Sequence, residues 1–158
     1  MTYGWFISAL VLHVLAVVVW IGGIAAVATV MFPAMRGADS VERKISLFHQ
    51  VERRFRPQAR IAWLLVGLSG FYMVYVLDAW TRFAEVRYWW MQAMVALWVI
   101  FGLMLFAVEP LVAGPRLERK LATDPAAAIA RMEALHWVLL VLSLLVIAVA
   151  VAGTNGAL

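Results

Sequence analysis

Apolar residues run along this chain in four blocks, at roughly 5–35, 61–77, 89–108 and 136–151, separated by stretches that carry almost all the charge. Within each block the apolar character is continuous, without the every-other-residue alternation of a barrel strand. A spanning segment must satisfy its own backbone hydrogen bonds, so each block is expected to be a helix. Crossing ~30 Å of hydrocarbon takes about 20 apolar residues. The second and fourth blocks fall a little short and must borrow from their flanks. The first is long enough to require tilt, or to project from the bilayer beyond Phe32-Pro33. It lacks a basic leading segment and runs past signal length, so it reads as a retained helix. The expected fold is all-α, a polytopic four-transmembrane-helix bundle forming a single domain over 1–158.

The intervals between blocks set orientation. Arg36, Arg43, Lys44, Arg53, Arg54, Arg56 and Arg60 lie between the first and second blocks, and Arg116, Arg119, Lys120 and Arg131 between the third and fourth. Between the second and third stand only Arg82 and Arg87, and neither terminus holds any. The excess of Lys and Arg predicts that both basic loops are cytoplasmic and both termini outside. The net charge of +4 is therefore a topology signal and a potential headgroup contact, and no nucleic-acid partner is needed to explain it.

The first basic interval has its own periodicity. In "SVERKISLFHQVERRF", residues 40–55, Ser40 stands three residues before Arg43, and Val41, Ile45, Phe48 and Val51 recur at helical spacing among charges. This predicts an amphipathic helix lying on, or running into, the membrane surface. Pro57 predicts a kink or a fresh start to the second span. In the second basic interval, Glu109-Pro110 and Gly114-Pro115 precede a short helix, and Asp124-Pro125 opens one that continues into the fourth block. No internal repeat is visible.

Composition narrows the class. With 66% hydrophobic residues, 14% charged and a mean hydropathy of +0.93, the chain belongs in lipid. Cysteine is absent, so any metal must be held by His, Met, carboxylate or backbone oxygen.

Against that background the histidines stand out, because hydrocarbon offers an imidazole no partner. His13 lies in "LHVLAVVVWIGG", about 15 Å along the first helix by rise. It shares a face with Ala16, Val17, Trp20, Gly23 and Val27, small residues that suit close helix packing or a flat cofactor. His136 opens the fourth block, with Met132, Glu133 and Ser143 on its face. His49 lies on the amphipathic helix, followed at helical intervals by Arg53, Arg56 and Arg60. These arginines suit either positive-inside anchoring or the carboxylates of a haem. Haem b would take His13 as axial ligand, Trp20 beside it, and Arg53, Arg56 and Arg60 near its propionates. Copper would draw on His13, His49, His136 and methionines, above all Met91, Met94 and Met132. By helix rise, His13 and His136 stand on the order of 15–20 Å apart, too far to share one iron. A third reading has no cofactor, with Gly22, Gly23, Gly67 and Gly70 packing the bundle against a partner subunit.

"LHVLAVVVWIGG", "FPAM", "VERRFRPQARIAWLLVGLSGF" and "LHWVLLVLSLLV" together resemble the CopD-like integral membrane proteins, and more distantly the HemJ group of protoporphyrinogen oxidases. The resemblance covers most of the chain. It implies a bacterial-type inner-membrane protein that binds or translocates copper, working with a periplasmic copper-binding partner. Its HemJ side implies instead a haem b redox protein serving electron transfer or porphyrinogen oxidation. His13 matches the first-helix histidine of both groups, and Arg54 falls in the Glu-Arg-Arg segment of the second. HemJ proteins carry a lysine early in the third helix, where "YWWMQAMVAL" has none, which counts against the oxidase activity. The expectation is thus a metal-handling membrane protein, with no catalytic residue singled out. The copper reading pairs His13 with the outer methionines and His136 with Met132. A homo-oligomer is compatible with each reading.

Overall fold

The structure is a computed structural model and describes residues 2–108 and 115–157. Helix α1 (Thr2–Ala26) leads through a π-helical turn (Val27–Met31) into α2 (Phe32–Arg36); α3 is Val41–Val76. Two 3-10 turns, Trp80–Ala84 and Val86–Tyr88, lead into α4 (Trp89–Leu103) and a second π-helical turn (Met104–Val108). Helices α5 (Pro115–Thr123) and α6 (Pro125–Thr154) complete the chain. No strand occurs among the described residues, and four helical stretches are long and apolar enough to cross a membrane: Tyr3–Arg36, Val41–Val76, Val86–Val108 and Pro125–Thr154. The chain is a multi-pass, all-α membrane protein. Its outward faces, with Leu15, Val18, Leu68, Leu103 and Leu145 exposed, are lipid-facing in character.

Each apolar block falls inside one of these helices, and the second and fourth are lengthened at the ends that borrow flanking residues. The largest difference from expectation lies at Pro57. Helix α3 runs unbroken through it, so neither a surface helix nor a fresh start separates 40–55 from the second span. An interior proline costs roughly 3 kcal/mol because it removes one hydrogen bond and crowds the preceding turn. Here α3 packs along α1 on both sides of it, the most extensive helix pairing in the molecule. The amphipathic face at 41–55 packs in part against protein: Ile45, Leu47, Phe48, Val51 and Phe55 lie, partly buried, against buried Val27, Met31, Phe32, Met35, Leu121 and Ile129.

The caps follow the sequence. Ser40 Oγ accepts from the Arg43 N–H at 3.2 Å and starts α3, and Asp124 Oδ1 accepts from the Ala127 N–H at 3.1 Å and starts α6. Glu109-Pro110 and Gly114 lie outside the described residues. The first π-helical turn stands just ahead of Pro33, where a widened turn relieves the clash with the carbonyl four residues back. Between α3 and α4 the chain reverses at Asp78, with φ of 48°, a left-handed conformation that Asp tolerates.

The bundle has two chemically distinct ends. At one, Trp5, Tyr75, Trp80 and Trp89 are exposed around the α3–α4 connection, an aromatic belt. At the other lie the basic intervals. The core between them is Ala16, Trp20, Ile21, Ala28, Ala62, Val66, Phe101, Leu139 and Leu140.

Candidate functional site: two histidines at opposite ends of the bundle

Helix α1 carries His13 to its seam with α3. Nδ1 lies 3.1 Å from the Val66 carbonyl and 3.1 Å from Ser69 Oγ. A carbonyl only accepts, so the arrangement calls for the proton on Nδ1 and leaves the lone pair on Nε2. Ser69 donates its own hydroxyl to the Leu65 carbonyl, so its oxygen is available to His13. Room for the ring comes from Gly70, where a Cβ would stand 3.2 Å from His13 Cε1. Ser69 is the partner that sequence reading missed. A hydroxyl one residue before a glycine, both on a lipid-soluble helix, was the available signal.

His136 has the same internal logic. Its Nδ1–H donates to the Met132 carbonyl at 2.8 Å, one turn back along α6, so Nε2 again keeps the lone pair. Its ring meets Phe32 edge-on at 5.0 Å. Phe32 belongs to the buried cluster of the basic end, together with Met31 and Met35, and Met132 packs against the same cluster. Met31, Met35 and Met132 thus belong to one apolar cluster, whose Phe32 also meets the His136 ring. Arg36 ties that corner together with an ion pair to Glu133 at 2.9 Å.

His13 contacts α3 at the level of Gly70, whereas His136 lies beside Phe32, nineteen residues along the first span from His13. By helix rise that is about 28 Å, so the two imidazoles belong to separate places. His49 is 3.5 Å from a Glu52 carboxylate oxygen on the N-terminal half of α3.

The remaining candidates are distributed rather than collected. Trp20 stands edge-on to Phe101 of α4 at 4.7 Å, linking two helices instead of walling a slot beside His13. Met91 is buried and Met94 half-buried near the aromatic end of α4. Arg53 is exposed, while Arg56 pairs with Glu52. Arg60 reaches α4, where it donates to the Leu105 carbonyl at 3.1 Å and lies over the Phe106 ring. The three arginines thus do not form one unengaged stripe.

The small residues are spoken for as well. Gly23 faces the Phe55 ring, Gly67 the Trp98 indole, Gly70 the His13 ring, Gly102 the Trp63 indole and Gly153 the Trp90 indole. Each glycine admits an aromatic ring of the chain itself, and only Gly22, of the four glycines weighed for a partner subunit, faces open space.

Among the described residues no group of three or more His, Cys, Asp or Glu could hold a metal ion. No family model, no curated protein and no solved structure matches this chain.

Proposed function

We propose that this protein handles Cu(I), as cargo, at the basic end of its bundle. The observation that carries the reading is the apolar cluster shared by Met31, Met35 and Met132, with His136 against its Phe32 and the His136 Nδ1–H held by the Met132 carbonyl. Soft thioethers with a neutral imidazole select Cu(I) over harder ions. His13, with its lone pair on Nε2, is the station toward the aromatic end, with Met91 and Met94 as further donors on α4. Lys and Arg distribution orients the molecule in a bacterial-type inner membrane with both termini outside, so the His136 cluster meets the cytoplasm. A copper-binding protein outside the membrane is the matching donor or acceptor. Competition titration of the detergent-solubilised protein with Cu(I) tests this. Stoichiometric binding that weakens at least tenfold in His136→Ala or Met132→Leu is expected, and binding indifferent to both variants refutes the site.

The Nδ1–H of His13, fixed on Val66, favours a second reading in which His13 is an axial ligand of haem b, since this is how ligating imidazoles are oriented. Such a haem would supply one-electron chemistry. The free Nε2 of His13 is the nitrogen that such a haem would take. A Soret band lost in His13→Ala distinguishes this reading from the first.

A further inference from the structure

Two parallel rows of side chains bound a groove at the basic end. Ala26, Val30 and Ala34 lie four residues apart along the first span, and Leu47, Val51 and Phe55 four apart along α3. Rows at this spacing form ridges, and the channel between them holds about 260 Å³ with an almost wholly apolar lining. Val30 is 66% exposed, which leaves the channel open on its side. At Ala34 and Leu47 the groove passes into a second hollow of about 570 Å³, lined by Gly37, Asp39, Ser40 and Arg43. An apolar channel about 12 Å long, by helix rise from Ala26 to Ala34, therefore ends in a polar chamber that carries one acid and one base.

We infer that this groove holds a phospholipid with a phosphoethanolamine headgroup, one acyl chain along the Val30–Val51 channel and the headgroup in the chamber. Polarity along the groove matches a lipid of the leaflet at the basic end: the apolar part points toward the spans, the polar part away from them. The charges match as well. Arg43 suits the phosphate, as a fork of donors for its oxygens, and Asp39 suits the ammonium. A purely anionic headgroup would pair with Arg43 but leave Asp39 without a cation from the lipid. Met31, on the wall of the channel, is shared with the proposed copper cluster, whereas Val30, Asp39 and Arg43, the positions that test the lipid, lie outside that cluster.

Native mass spectrometry of the full chain, delipidated and then exposed to mixed vesicles of equimolar phosphatidylethanolamine and phosphatidylglycerol, tests the inference. The expected result is one phosphatidylethanolamine adduct that survives activation sufficient to strip annular lipid. Val30→Trp, at an exposed position where folding is undisturbed, should reduce it about tenfold by filling the channel, and Arg43→Ala by a similar factor through loss of a charged hydrogen bond. Asp39→Asn should abolish the preference between the two lipids while a lipid still binds. Equal retention of both lipids by the unaltered chain, an adduct unaffected by Val30→Trp, or a non-phospholipid adduct would each overturn it.

Discussion

Trp63 of α3 and Trp98 of α4 stack with planes 3° apart and centroids 4.3 Å apart, and each indole N–H donates to the other residue's carbonyl, at 2.8 and 2.9 Å. The symmetry comes from a repeated local pattern: Trp63-x-x-x-Gly67 on one helix, Trp98-x-x-x-Gly102 on the other. In a helix the carbonyl of residue i lies beneath residue i+4, so a glycine there uncovers it to a second donor. A Cβ at Gly67 would stand 2.5 Å from Trp98, and one at Gly102 would stand 2.5 Å from Trp63. Gly102→Leu should therefore force α3 and α4 apart and cost about 1–3 kcal/mol in detergent unfolding. Trp63→Phe keeps a ring but loses one hydrogen bond, for about 1 kcal/mol. Wild-type stability in Gly102→Leu would show that the clasp does not hold the two helices.

His13 has a spectroscopic prediction that does not depend on any metal. With Val66 O and Ser69 Oγ both at 3.1 Å from Nδ1, the neutral ring should be the Nδ1–H tautomer. Selective 15N labelling should show a pyrrole-like Nδ1 and a pyridine-like Nε2 in the apo protein, and Ser69→Ala should leave the tautomer unchanged because Val66 remains. The reverse pattern would place the accepting nitrogen against a carbonyl and contradict the geometry.

Arg36 and Glu133 join the end of the first span to α6, with the Glu133 side chain only 12% exposed and that of Arg36 58% exposed. Exposure of the arginine limits the pair to about 1 kcal/mol. Arg36→Glu should lower the melting temperature by repulsion, and the exchange Arg36→Glu with Glu133→Arg should recover most of it. Failure of the exchange to recover any stability would mean that the corner depends on packing rather than charge.

Absence of native cysteine makes topology directly measurable. Gln50 and Thr154 are both exposed, at opposite ends of the bundle. A membrane-impermeant maleimide applied to intact cells should label Thr154→Cys and leave Gln50→Cys unlabelled until the membrane is opened. The opposite pattern would invert the proposed orientation.

What sequence revealed here was what hydropathy and local chemistry encode. Four apolar blocks announce four helices because a spanning backbone has no alternative, and Ser40 and Asp124 announce helix starts because their side chains satisfy nearby N–H groups. At Pro57 the chain makes no fresh start: the local cost of the proline is visible in sequence, whereas the packing of α3 along α1 that offsets it is a long-range property. The same limit applied to the face containing Phe48 and Val51: amphipathicity shows that a surface is covered, without showing whether lipid or protein covers it. At the candidate site, His13 and His136 were legible as polar groups in apolar blocks. The joining of Met31 and Met35 to Met132 required the fold, because these residues are about a hundred positions apart. Gly23, Gly67 and Gly70 were legible as places of close approach, and only their distances to Phe55, Trp98 and His13 identified the visiting groups as the chain's own rings, whereas Gly102 and Gly153 were not singled out.

The most direct test of the central claim is the copper content of the protein purified under reducing conditions from copper-supplied cells, measured beside the His136→Ala, Met132→Leu double variant. The account predicts copper bound in at least equimolar amount by the unaltered chain, with no visible absorption band, and most of it lost from the variant. Copper at background in the unaltered chain, or a Soret band in its spectrum with copper absent, would contradict it.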